Sequence, residues 1–146
     1  MKLTEAKLKR MIKEMMTTGR LVHNYKPPLS ENGRKIEEML MSKKGELINQ
    51  AESLLDVLSS TLDPLEADWL DALSKAAVAT ATLKRLSREE DERYSIPRSQ
   101  RPERSPEYDQ YDVVTNNFRD AAARIRRIVG NEEAEKIYRN FHGIVA

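Results

Sequence analysis

"LDPLEADWLDALSKAAVATAT", Leu62 to Thr82, decides the fold of this chain. Its first half is punctuation. The side chain of Asp63 can cap a helix, and Pro64 suits the first helical position, where its missing N–H would go unpaired anyway. Glu66 follows three residues after the cap, the spacing of a capping box. The stretch therefore predicts a helix starting at Pro64. Its apolar face runs Leu65, Trp69, Leu70, Leu73, Ala76, Ala77, Thr80, Leu83 and Leu86, at three- and four-residue spacing. "AAVATAT", Ala76 to Thr82, carries only small side chains. A neighbouring backbone can approach closely there, so the tightest helix crossing is expected at this point. The helix is expected over about residues 64–93.

Upstream, Ser30 reads as an N-cap. Ile36, Leu40, Leu47, Ala51, Leu54, Leu58 and Leu62 follow at helical spacing, with Leu55 and Val57 widening the stripe. One long helix over about residues 31–62 is expected, roughly 45–50 Å long at 1.5 Å per residue. Gly45 costs about 1 kcal/mol against alanine and marks a kink or a break. Two shorter helices meeting near Ser42 to Gly45 are the alternative. The turn at Leu62–Asp63–Pro64 is so short that this element and the next should form an antiparallel hairpin.

Downstream, "SIPRSQRPERS" (95–105) holds two prolines and three arginines without periodicity, and reads as a surface loop. "SPEYDQYDVV" repeats the start signal, with Ser105 as cap, Pro106 at the first position, and Glu107 and Asp109 near the positive helix end. Tyr111, Val114, Phe118, Ala121, Ala122, Ile125, Ile128 and Val129 keep helical spacing, so a helix is expected over about 106–129, stopped by Gly130. Asn131 then caps a short last helix, "EEAEKIYRNF", ending at Gly143. No strand signal and no internal repeat appear. The expectation is an all-α helical bundle of three long helices (about 31–62, 64–93 and 106–129) with short helices at each end.

The first residues are of another kind. Leu8, Met11, Ile12, Met15 and Met16 share one face of a helix expected over about 4–17, between Thr4 as cap and Gly19 as stop. Over residues 1–20, six basic side chains face two acidic ones, +4 in a chain whose net charge is +1. "GRLVHNYKPPL" (19–29) breaks the pattern with a glycine and a Pro-Pro pair, and reads as an extended linker or an arm lying on the body. Leu21, Val22, Tyr25 and Leu29 suggest that parts of it are buried. The division expected is an N-terminal amphipathic helix at 1–18, a linker at 19–29 and a bundle domain at 30–146. A cationic helix with a methionine stripe can fill gaps in its own core, lie in a partner's groove, or lie on an anionic membrane. No Trp or Phe anchors it to a membrane, and no membrane partner is expected.

Composition narrows the functional classes. The 146 residues suit one domain with a real core, largely aliphatic and alanine because aromatics make up only 5%. The near balance of 25 basic and 24 acidic residues gives no global case for nucleic acid. There are no cysteines, which excludes disulfides, thiolate zinc sites and cysteine nucleophiles. No run approaches the ~20 apolar residues of a membrane span, and no signal-peptide pattern follows the N-terminal lysines. A soluble protein that stays in the cell is expected.

No catalytic constellation can be assembled. Neither His23 nor His142 has a glutamate three residues before it, as helical di-iron sites require. The carboxylates that could hold a metal in a helical hydrolase are Glu37, Glu38, Glu66 and Asp68, but Met41 stands where a Glu-Glu-x-x-Glu pattern needs its last carboxylate. No serine-nucleophile elbow, P-loop or dinucleotide fingerprint is present. No cofactor is expected. Arginines are the remaining signal. Arg98, Arg101 and Arg104 lie in the loop, and Arg119, Arg124, Arg126 and Arg127 lie in the following helix. Such clusters suit phosphate, and nucleic acid is the alternative partner. Asp120, Glu103, Glu107, Glu132 and Glu133 interleave with them, a pattern that surface electrostatics also explains.

"KLTEAKLKRMIKEMM", Lys2 to Met16, resembles a short N-terminal segment, roughly Leu-Thr-Glu-x-x-Leu-Lys-x-hydrophobic-Ile-x-Glu, found on otherwise unrelated proteins of tailed bacteriophages, marine ones especially. The resemblance implies a phage-encoded protein, a virion component or an accessory protein, located in the host cytoplasm or the virion. It transfers no catalytic residue. The function expected is protein–protein contact, through the Leu8–Met16 stripe and the arginine loop, with self-association into an oligomer also expected from long helices with alanine-rich crossings.

Overall fold

The computed structural model describes residues 26–145. The helix expected over 4–17, with Leu8, Met11, Ile12, Met15 and Met16, lies outside the described residues, as does the linker up to Tyr25. The described chain is all-α: α1 at Glu31–Leu40, α2 at Gly45–Leu58, α3 at Pro64–Tyr94 and α4 at Tyr111–His142, with short 3-10 turns at Ser59–Thr61, Arg98–Gln100 and Pro106–Gln110. No strand occurs among the described residues.

Helix α3 is the axis of the fold and starts where the sequence places it. Asp63 accepts a hydrogen bond from the Leu65 N–H at 3.0 Å, with Pro64 in the first turn. Glu66 departs from the capping-box reading. Its carboxylate is buried, 2% exposed, and turns away from its own helix end. It accepts from the backbone N–H of Ser30 and, at 3.1 Å, from the Ser30 hydroxyl. That hydroxyl in turn accepts from the Gly33 N–H at 3.1 Å. One carboxylate of α3 thus fixes the N-cap of α1, and its negative charge sits at the positive end of that helix.

The single helix expected over 31–62 is two helices. Helix α1 ends at Leu40, and the Ser42 hydroxyl donates back to the Met39 carbonyl at 2.7 Å. Lys43 then takes a left-handed φ of 65°. Gly45 opens α2, and its N–H donates to Val145 O at 3.0 Å while Val145 N–H donates to Lys43 O at 2.8 Å. The carboxy-terminal residues therefore clamp the α1–α2 turn. This turn shifts the phase of the apolar stripe: Ile48, Ala51 and Leu55 are buried, whereas Leu54 is 41% and Val57 74% exposed. The regular spacing from Ile36 to Leu62 spans a break: Ile36, Leu40, Ala51, Leu55 and Leu62 keep the expected face, and Leu54 and Val57 do not.

The third expected helix also changes at its ends. Residues 106–110 form a 3-10 turn capped by the Ser105 hydroxyl, which accepts from the Glu107 N–H at 3.3 Å, and the α-helix begins at Tyr111. Gly130 stops its first limb with φ 84° and ψ 170°, a conformation that side-chain-bearing residues rarely adopt. Gly130 rather than Asn131 is the residue outside the helical range. The second limb folds back on the first: the Tyr138 hydroxyl donates to Ala122 O at 2.6 Å, and the Tyr138 ring meets the edge of Phe118 at 6.0 Å.

A continuous core joins all four helices. Ile36, Leu40, Ile48, Trp69, Leu70, Leu73, Ile125 and Phe141 are buried in it, and Leu29 and Ile144 close its ends. Ala72, Ala76 and Ala77 on α3 and Ala121 on α4 are at most 1% exposed, so small side chains of both helices belong to the core. Burial of this aliphatic surface is the main driving force of the fold.

Candidate functional site

An open groove of about 370 Å³ lies where α1, α3 and the Gly130 turn of α4 meet. Such a volume lies in the range of small binding clefts. Its floor is apolar, made by Met41, Trp69, Leu73, Val129 and Ile137. Its rim is charged, with Lys26 and Glu37 on one side and Glu133 on the other. The sequence positions each group. The three- and four-residue spacing of α3 brings Trp69 and Leu73 to one face. The turn at Gly130 places Val129 and Ile137, from its two limbs, in the same wall.

Glu37 is the organiser of the rim. It accepts from the Trp69 indole N–H at 2.9 Å and from the Lys26 ammonium at 2.5 Å, with its side chain 18% exposed. The Trp69 bond satisfies the one polar atom of a side chain that is otherwise core. Glu133 pairs with Lys136 on its own helix at 3.0 Å. A second hollow, of about 490 Å³, lies at the start of α2 between Lys44, Asn49, Thr82 and Arg85. Arg85 is engaged there by Glu107 at 2.5 Å and Glu89 at 3.7 Å.

The carboxylates considered for a metal do not converge. Glu37 serves Trp69 and Lys26, Glu66 serves Ser30, Asp68 serves Arg124, and Glu38 is exposed. Among the described residues, no three His, Asp or Glu side chains are grouped to hold a metal ion.

The arginines separate into two sets. Arg124 joins α4 to α3, donating to Asp71 at 2.9 Å and also to Asp68. Arg101 donates to the carbonyls of Arg93 and Ile96 at 3.1 and 3.3 Å and lies over the Tyr94 ring at 4.6 Å. It thereby caps the end of α3. Arg104 pairs with Glu90 at 3.0 Å and lies over Tyr108. These three hold the 95–110 connection and the α3–α4 crossing together. Arg98, Arg119, Arg126 and Arg127 are exposed. No continuous set of all seven faces one ligand.

The Arg124 clasp gives a pH signature. Burial alone would raise the Asp71 carboxyl, but the hydrogen bonds from Arg124 and Lys75 outweigh it and hold the group below its ordinary 3.8. A depressed carboxylate stabilises the fold above its unfolded value and loses that contribution as pH falls through its folded value. Urea midpoints followed from neutral pH to below 3.8 should therefore fall less steeply in Asp71→Asn than in the parent chain. Equal slopes would remove Asp71 from the acid response.

The groove is what reading the sequence missed. Glu37 and Trp69 are 32 residues apart and belong to different periodic stripes. No protein-family model, no curated protein and no solved structure matches this chain.

Proposed function

We propose that this protein is a non-enzymatic protein-binding component, of the structural or accessory kind that tailed phages encode. Its contact element is the apolar stripe of Leu8, Met11, Ile12, Met15 and Met16 within a cationic segment. The observation that carries the reading is the combination of five apolar residues at helical spacing with a charge of +4 over residues 1–20, in a chain whose net charge is +1. A cationic helix with a methionine stripe suits a partner's groove. The partner is another protein, with a second copy of this chain as the alternative. The setting is the host cytoplasm or the virion.

The test replaces the five stripe residues together by serine in the full chain. Both chains are then used as baits in the infected host. The expected result is a partner recovered with the parent chain and lost with the variant, at an unchanged urea midpoint. A lowered midpoint would make the stripe part of the core and end the reading.

A further inference from the structure

We propose that residues 131–145 form an exchangeable arm: α4 straightens at Gly130, and the arm seats on a second copy of this chain, which returns its own. The inference uses a different surface from the methionine stripe and does not depend on the partner reading. Three observations carry it. The first is the hinge. Gly130, at φ 84° and ψ 170°, is the residue of α4 outside the helical range, and helix resumes directly after it. Connections between packed helices ordinarily take about 2–8 residues. Here one residue makes the turn. At such a junction the last carbonyls of the first limb and the first N–H groups of the second have no partner within their own limbs. Helical φ and ψ at residue 130 would pair the two sets and make one helix of 32 residues, about 48 Å long. Tight hinges of this kind favour exchange between copies.

The second observation is what the arm buries. Phe141 is 1%, Ile144 3% and Ile137 9% exposed, and Ala134 is fully covered. An opened arm presents this apolar face to water, and burial drives it back onto a matching surface. The surface that matches is the one that another opened copy has vacated.

The third observation is that the arm's contacts do not depend on which copy supplies it. The Tyr138 hydroxyl donates to Ala122 O at 2.6 Å, Asn140 Nδ2 to Met41 O at 3.2 Å, and Val145 N–H to Lys43 O at 2.8 Å. The Lys84 ammonium donates to Ile144 O at 3.1 Å. All four bonds join the arm to the body across the Gly130 turn. Each re-forms with an arm from a second copy. The exchanged dimer therefore differs from two closed chains in the conformation of Gly130 and in the freedom lost on association. Reciprocal exchange satisfies both copies and stops at a two-fold dimer.

Gly130→Ala is the first test, because alanine favours helical backbone over glycine and resists a φ of 84°. Light scattering after size exclusion of the full-length variant should give a dimer fraction several-fold above the parent's at the same concentration, with unchanged far-UV circular dichroism. A folded variant with no more dimer than the parent overturns the proposal. The second test leaves the hinge as it is. The chain has no cysteine, and Asn140 Nδ2 lies 3.8 Å from Met41 Sδ. Met41→Cys and Asn140→Cys are therefore placed in separate full-length chains, one carrying a mass tag, and mixed at high concentration under oxidising conditions. The expected result on a non-reducing gel is a mixed disulfide dimer above the yield of random pairing. A mixed yield at or below random pairing overturns the proposal, whether or not Gly130→Ala folds. A Gly130→Ala dimer that fails to give this cross-link also overturns it, because the copies then associate without exchanging arms.

Discussion

Trp69→Ala should lower the stability of this protein by about 3–5 kcal/mol, the usual cost of truncating a large buried aromatic. Trp69 is 2% exposed and is among the largest fully buried side chains. It stands in the second turn of α3 and belongs to the core that α1, α2 and α4 share. Truncation removes its packing and leaves a cavity that rigid neighbours only partly fill. It also takes the indole N–H from Glu37, which keeps Lys26 as its partner. Against a total stability of roughly 5–15 kcal/mol for an ordinary domain, this loss is a large fraction. Trp69→Phe separates the two contributions, since it keeps most of the apolar volume and loses the hydrogen bond. It should cost clearly less than Trp69→Ala. Urea unfolding followed by far-UV circular dichroism measures both, because the variants have no tryptophan to observe. A loss in Trp69→Ala of under about 1 kcal/mol, the size of a single ordinary hydrogen bond, would show that Trp69 is not a core element.

Trp69 also shows what was legible from the sequence. Its burial followed from the apolar spacing of α3, and the start of that helix followed from Asp63 and Pro64. Both are local signals, settled by residues within one or two turns. Gly130 was legible for the same reason, because only glycine takes its φ of 84° without strain. The break between α1 and α2 falls where the alternative reading put it, near Ser42 to Gly45, but local signals did not decide between one helix and two. Apolar residues recur at helical spacing on both sides of it, and the turn depends on contacts with Val145 and Asn140 about a hundred residues away. The phase of α2 follows from that turn, so Ile48 and Leu55 replaced Leu47 and Leu54 as the buried pair.

The polar contacts were the least legible. Arg124 read as a phosphate ligand from composition, but Asp68 and Asp71 lie across the α3–α4 crossing, 53 or more residues away in sequence. Arg101 read as a loop cation but caps helix carbonyls. In each case the residue type was right for an anion or a carbonyl, and tertiary packing supplied one inside the protein. The same reasoning applies to Glu37, a possible metal carboxylate by residue type, on which Trp69 and Lys26 converge.

Glu66 gives the sharpest test of such a non-local contact, because a glycine beside it reverses sign with its presence. Glu66→Ala should cost about 2–3 kcal/mol, since it removes charge-assisted hydrogen bonds to Ser30 and leaves buried space. Gly33 packs against the same carboxylate: a Cβ built there would come within 2.8 Å of Glu66 Cδ and closer still to one carboxylate oxygen. In a helix, alanine for glycine ordinarily stabilises by about 1 kcal/mol. Here the added methyl must displace the carboxylate from Ser30, so Gly33→Ala should destabilise the parent chain. In the Glu66→Ala background the obstruction is gone, and the same substitution should recover its helix-forming gain. The double-mutant cycle over Gly33 and Glu66 therefore should show a coupling above the few tenths of a kcal/mol seen for independent sites. Urea midpoints of the four chains measure it. If Gly33→Ala stabilises both backgrounds equally, Glu66 does not hold the N-cap of α1. The first turn of α3 would then be joined to the start of α1 only through their shared core and the Trp69–Glu37 hydrogen bond one turn further on.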